Sequence, residues 1–244
     1  MFKKDILRGM NHGIPIMLGY LSVSFGFGIK AAGAGLGTFG ASLISLTNLT
    51  SAGQAAGVEI IQAGGTLIEM ILVQFIINIR YSLMGLSLSQ RLDKSFTMKH
   101  RLIASYGITD EIFALCASTA QKEPLRPGYM YGMITVATAG WVTGTALGAA
   151  AGQLLPASLS GALGIMLYGM FLAIIIPPAR AERSILCVVI AAALLSLFFR
   201  YLLPMVSGGF AMIICSVAAA ALGAALFPVK DDKDDKTDET EGTE

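Results

Sequence analysis

The sequence predicts an all-α polytopic membrane protein with six to eight hydrophobic helical segments. Three observations carry that prediction. The 244-residue chain is 55% hydrophobic and 14% charged, with a mean hydropathy of +0.69, whereas a soluble domain is about 25% charged. Its charges are clustered, and residues 31–58, 127–179 and 201–229 hold no Asp, Glu, Lys or Arg. Glycine is abundant, at 28 residues, as in membrane helices that approach closely through small residues.

The apolar segments run over 14–32, 36–61, 66–90, 102–120, 128–151, 159–178, 184–203 and 208–228, and a spanning helix needs roughly 20 such residues. The first follows Lys3, Lys4 and Arg8. It is long and Gly-rich and more segments follow, so it reads as an uncleaved span rather than a signal peptide. The second is polar at its centre, "SLTNLTSAGQAAG". The third carries Arg80 inside "VQFIINIRYSLMGL", and the fourth has "GITDE" at its middle. The fifth leads into the small-residue face "GTALGAAAG" (144–152). Residues 1–229 read as one transmembrane domain. The remainder, 230–244, has eight acidic and three basic residues and no apolar ones, and is expected to be disordered.

The distribution of Lys and Arg tests the number of crossings. Basic residues gather in the N-terminus, 91–101, 121–127 and 179–183, while the breaks at 33–38, 62–65, 152–158 and 204–209 carry none. Eight full spans would put 91–101 outside, against the positive-inside rule. Six spans plus two re-entrant or broken segments satisfy the rule throughout. In that arrangement 36–65 dips in from outside and 102–120 dips in from the cytoplasm, and both termini are cytoplasmic. Irregular backbone at membrane depth is tolerated where it lines a cavity or is buried in protein. Insertion from opposite faces is what an inverted repeat produces. Lys30 and Arg200, near segment ends, are expected to snorkel.

Ionisable groups at membrane depth are functional candidates: here Glu59, Glu69, Arg80, Asp110 and Glu111. Glu69 and Arg80 are about 16 Å apart along a helix axis, so Arg80 needs a partner elsewhere. The carboxylates of "TDE" lie at the right depth. Glu59 and Glu69 are expected near the water interface. Gln74, Asn78 and Tyr81 fall on one polar stripe, with Arg80 about 200° round from Asn78. The helix therefore shows two polar faces or is broken near Asn78. One carboxylate of Asp110-Glu111 can meet Arg80, and the other would face a cavity or solvent. A structural ion pair is one reading. In the other, Arg80 binds a substrate carboxylate while Asp110 or Glu111 carries protons. Candidate substrate-binding residues are Arg80, Asn78, Tyr81, Thr109 and, from the polar break, Asn48 and Gln54.

Several functions are disfavoured. Cys116, Cys187 and Cys215 lie far apart in apolar runs with no metal-ligand spacing. His12 and His100 sit near charged segments and read as interfacial. No nucleotide-binding or hydrolase motif is present, so neither an enzyme nor a cofactor is expected, and no nucleic-acid partner. A channel and a structural subunit of a transport complex stand as rival readings.

Three stretches resemble the AzlC family, the large subunit of bacterial branched-chain amino acid exporters. These are "GIPIMLGYLSVSFGFG" (13–28), with Gly13, Pro15 and Gly19; Asn78-Ile79-Arg80-Tyr81, similar to the family's Asn-x-Arg-aromatic motif; and Thr109-Asp110-Glu111-x-Phe113, similar to its Thr-Asp-Glu-x-Phe motif. "TSAGQ" keeps Gln54 of the family's Ala-Gly-x-x-Gln segment, with Thr50 and Ser51 in place of the Ala-Gly pair. The resemblance covers residues 8–225. It implies export of branched-chain or similar apolar amino acids across the bacterial cytoplasmic membrane, with a small AzlD-like membrane partner. The missing nucleotide motif fits a secondary mechanism, and the carboxylates at membrane depth suggest proton coupling.

Overall fold

The computed structural model describes residues 2–152, 154 and 156–228. The predicted acidic tail from residue 230 lies outside the described residues. The described residues form α1 (Phe2–Gly33), α2 (Thr38–Thr47), α3 (Ala52–Gln62), α4 (Leu67–Ser89), α5 (Met98–Ser105), α6 (Asp110–Ala120), α7 (Pro127–Gly152), α8 (Ala157–Ala181), α9 (Arg183–Leu202) and α10 (Gly208–Leu226). Among them, α1, α4, α7, α9 and α10 are long and apolar enough to cross a membrane. The 25-residue α8 carries no charge before Arg180. The chain divides into two compact units, Met1–Leu172 and Ala173–Glu244. In the second, α9 and α10 pack together, with Val188 filling the space above Gly223.

The predicted first segment began at Ile14, but α1 starts at Phe2. At 1.5 Å per residue its 32 residues span about 48 Å, longer than the roughly 30 Å hydrocarbon core. The extra turns carry Lys3, Lys4, Asp5 and Arg8. A hydropathy reading stops at these charges, although the backbone does not.

The spine of the first unit is a parallel pair, α1 and α7. Backbone atoms of Phe2 and Ile6 lie against Gly128 and Gly132, Met17 against Gly140, Leu21 against Gly144, Phe25 against Gly148 and Ile29 against Gly152. The contacts advance in the same sense along both helices, so they run in the same direction. A Cβ at Gly132, Gly144 or Gly148 would run into a carbonyl of α1. The small-residue face of 144–152 is thus a packing seam, held by close approach because lipid gives little hydrophobic drive.

This spine serves as a depth scale for the two broken segments. Ala41 of α2 and Val58 of α3 both pack with Ala31 and Ala149, towards the far end of α1 and α7. Ser45 and Gln54 sit deeper, beside Thr145 and Trp141. Leu49, between the arms, joins the central cluster of Tyr20 and Trp141. Segment 36–62 is therefore a re-entrant hairpin that dips from the far side and returns. Segment 98–120 mirrors it. His100 meets Tyr131 (2.7 Å), Gly107 packs on Ile134, Thr109 reaches Tyr20, and Thr119 returns to Tyr129 (3.1 Å). It dips from the side of the α1 N-terminus and goes back. Between the hairpins α4 runs antiparallel to α3, with Met70 beside Gly57 and Gln74 beside Gly53. A span followed by a hairpin thus occurs twice in opposite sense, α1–α2–α3 and α4–α5–α6.

The hairpin tips are held by local chemistry. Thr109 caps α6 by accepting from the Ile112 N–H (3.4 Å). Ser51, at the first tip, has φ of +50°, a conformation that L side chains seldom adopt and that concentrates at functional segments.

Three of the four basic segments share one face. Arg8 pairs with Glu123, Arg126 lies 3.8 Å from Asp5, and Leu92 bridges to Leu125. The N-terminus, 91–97 and 121–126 are therefore together. Lys30, expected to snorkel, pairs with Glu59 and donates to Tyr168 (2.9 Å). Glu69, expected near water, is 3% exposed.

Candidate functional site

The tips of the two hairpins meet beside α4, and the polar residues read from sequence gather there. α4 is continuous from Leu67 to Ser89, so it shows two polar faces and is not broken at Asn78. Each face addresses one hairpin.

Towards α6, Arg80 Nη1 lies 2.6 Å from both carboxylate oxygens of Asp110, and Nη2 donates to the Tyr81 hydroxyl at 2.9 Å. The guanidinium also sits 4.7 Å from the Tyr81 ring centre. Tyr81 therefore joins Arg80, and not the Gln74–Asn78 stripe to which helical spacing assigned it; its long side chain folds back along the helix. The ion pair stays accessible, with side-chain exposures of 39% for Arg80 and 29% for Asp110. Asp110 and Glu111 occupy the first turn of α6, where the free N–H groups favour negative charge.

Glu111, expected to face a cavity or solvent, is partly exposed, and one of its oxygens is engaged. Its Oε2 accepts from the Tyr20 hydroxyl at 2.6 Å, and Tyr20 is also 2.5 Å from Thr109 Oγ1. The edge of Tyr20 packs on Trp141, with ring centres 5.2 Å apart.

Towards α3, Gln74 donates to the Gly53 carbonyl (2.7 Å), and its Oε1 accepts from Asn78 (3.1 Å) and more weakly from Asn48 (3.5 Å). Thr50 donates to Asn48 Oδ1 at 2.8 Å. Asn78 Oδ1 is buried and accepts no hydrogen bond, a cost of about 1–3 kcal/mol for such a group. Gln54 is 1% exposed. Its Oε1 accepts from Trp141 (2.9 Å) and its Nε2 donates to Ser45 (2.9 Å), which in turn contacts Thr145 (2.7 Å). With both ends of its amide engaged, Gln54 braces the hairpin against α7 and offers no group to a substrate in this conformation.

The structure thus brings Arg80, Tyr81, Asp110, Glu111 and Thr109 together on one side of α4, and Asn48 and Asn78 on another through Gln74. Sequence reading missed Tyr20, Trp141, Ser45 and Thr145. Tyr20 and the single Trp carried a usable signal, since a buried phenol or indole seeks a polar partner. An apolar groove of about 530 Å³ opens beside the tips, lined by Leu46, Ile103, Tyr106, Ile134 and Thr138 among others. Among the described residues no cluster of His, Cys, Asp and Glu could hold a metal.

Long apolar helices and two opposed hairpins with an accessible ion pair at their tips define a polytopic, all-helical membrane protein. The chain belongs to the AzlC family: the family model described as AzlC protein matches residues 15–155, a range that holds every site residue named above. It is 29% identical over 185 residues to an "Uncharacterized membrane protein" of Archaeoglobus fulgidus, covering 75% of this chain and 78% of that one. It is 28% identical over 191 residues to "Inner membrane protein YgaZ" of Escherichia coli K12, covering 76% and 77%. No solved structure matches this chain.

Proposed function

We propose that this chain is the substrate-translocating subunit of a secondary transporter that exports branched-chain or similar small apolar amino acids. The carrying observation is the half-exposed Arg80–Asp110 pair at the meeting point of the hairpin tips. A guanidinium stays charged at any depth and presents a fork that matches carboxylates, so Arg80 can exchange Asp110 for the substrate's carboxylate. Broken helices with polar tips at mid-depth are the usual seat of substrate in secondary transporters. Asn48, Asn78, Thr109 and Tyr81 supply hydrogen-bonding groups at the same level, and the neighbouring apolar groove suits an aliphatic side chain. Asp110 and Glu111 supply carboxylates for proton coupling.

The face bearing the N-terminus, 91–97 and 121–126 is basic, so it is assigned to the cytoplasm, with both termini there, in the cytoplasmic membrane. A small AzlD-like membrane subunit completes the assembly. The test is leucine, isoleucine and valine efflux from preloaded cells expressing this chain, with and without the neighbouring small membrane protein. Faster efflux that Arg80→Lys abolishes supports the reading. Efflux at background rate under both conditions, with the chain in the membrane, rejects it.

A further inference from the structure

The two adjacent carboxylates are held differently, and the difference assigns their roles. Both Asp110 oxygens face Arg80 Nη1 at 2.6 Å. Arginine does not lose its proton in proteins, so in the closed pair the Asp110 carboxylate faces a permanent positive charge. Glu111, one residue on and about 100° round the helix, meets a hydroxyl of α1, Tyr20, at 2.6 Å.

We propose that Glu111 is the residue that takes up and releases the coupling proton, with Tyr20 and Thr109 as its positioning residues. This rests on the transport reading above. Tyr20 has one hydroxyl proton and two acceptors within reach, Glu111 Oε2 at 2.6 Å and Thr109 Oγ1 at 2.5 Å. With Glu111 ionised, Tyr20 donates to it, and the Thr109 hydroxyl donates to Tyr20. With Glu111 protonated, its own O–H donates to Tyr20, and Tyr20 donates to Thr109. Tyr20 both donates and accepts in each state, and Glu111 keeps a hydrogen-bond partner in each, which avoids the penalty of an unmade hydrogen bond at the carboxyl group. Between the two states Glu111 gains one proton, and the Tyr20 and Thr109 hydroxyl protons turn to new positions without leaving their oxygens. Thr109 is fixed by its bond from the Ile112 N–H, and Tyr20 by its contact with Trp141. Both are buried, so the relay keeps its geometry as charge changes.

The surroundings of Glu111 fit this role. α1 contributes Tyr20, α4 contributes Arg80 and Tyr81, its own helix contributes Asp110, and α7 contributes the uncharged Trp141 behind Tyr20. The Arg80 and Asp110 charges cancel locally, leaving Glu111 as the unneutralised carboxylate of the pair. In uptake, a proton from water on one face forms an O–H bond on a Glu111 oxygen. In release that bond breaks, and the proton passes to water on the other face with the carboxylate restored. Nothing is oxidised or reduced.

The experiment is infrared difference spectroscopy of the purified full chain in lipid vesicles, titrated through the physiological pH range without substrate. Glu111→Gln keeps an acceptor for Tyr20 and is expected to fold. The carbonyl stretch of a protonated carboxyl should appear on acidification, vanish in Glu111→Gln, and persist in Asp110→Asn. In Tyr20→Phe it should remain but move to higher frequency, because a hydrogen bond to the acid is lost; a packing role alone would not shift it. A band that survives Glu111→Gln, or that disappears only in Asp110→Asn, overturns the assignment, as does no band at all. Leucine efflux, measured on vesicles that hold this chain together with the small membrane subunit, separates the two readings. If leucine is not moved while the band behaves as expected, the substrate is wrong and the proton site stands.

Discussion

The Tyr106 hydroxyl at the end of one hairpin donates to the backbone carbonyl of Leu46 at the end of the other. Leu46 lies in the last turn of α2, where carbonyls lack helical partners. A side chain from the opposite membrane face supplies the missing donor, so the tips are joined by more than apolar contact.

Removing that donor should loosen the joint. Tyr106→Phe is expected to cost about 1 kcal/mol, seen as a lower midpoint in thermal unfolding of the detergent-purified chain. Tyr129→Phe, at the base of α7, should leave the Leu46 amide's hydrogen-exchange rate unaltered. An unchanged midpoint and exchange rate in Tyr106→Phe would show that the tips are held by packing alone.

The hairpins also fix which loops share a face. In a background without Cys116, Cys187 and Cys215, a cysteine at exposed Ser95 should resist an impermeant thiol reagent in intact cells. One at exposed Ala63 should react. The reverse pattern would invert the orientation, and reaction at both would break the two-hairpin topology.

Arg80 should tolerate change less well than its exposure suggests. Arg80→Ala leaves Asp110 without its cation. A fully buried broken pair costs 3–5 kcal/mol, and partial exposure here lowers that to about 2 kcal/mol. The double variant Arg80→Ala with Asp110→Asn should regain the lost melting temperature but not efflux. Efflux from the double variant would remove Arg80 from substrate binding.

The glycine seam gives a sharper contrast. Gly148→Ala puts a Cβ into the Phe25 carbonyl, whereas nothing lies within 4 Å of a Cβ at Gly19. Gly148→Ala should therefore reduce the yield of monodisperse protein. Gly19→Ala should leave it equal or raise stability by up to about 1 kcal/mol. Size-exclusion profiles of the two variants after graded heating decide it.

Much of this arrangement is legible in the residues themselves. Asn48–Ser51 and Tyr106–Thr109 interrupt apolar runs with polar or turn-forming side chains, and both become hairpin tips. An arginine in lipid demands an anion, and the carboxylates of Asp110-Glu111 lay at matching depth, of which Asp110 makes the pair. The Tyr20 partner of Glu111 was not legible, because it sits in a span with no charge or period to mark it. The same holds for Trp141 and Gln54, whose bond spans 87 positions of sequence. Such pairs depend on how the helices pack, which local pattern does not encode.

The glycine seam between α1 and α7 has a consequence for the order of synthesis. α1 leaves the ribosome first, yet the helix it matches follows roughly ninety residues later. At 5–20 residues per second, α1 waits on the order of 5–20 s with its glycine face towards lipid or the insertion machinery. Both hairpins lean on that seam, through Ala149 and Thr145 for the first and Tyr129 and Ile134 for the second. Neither can settle at its final depth before α7 arrives. The first helix made is thus among the last to find its place, and truncation ahead of Pro127 should leave a nascent chain that is inserted but exposed to quality-control proteolysis.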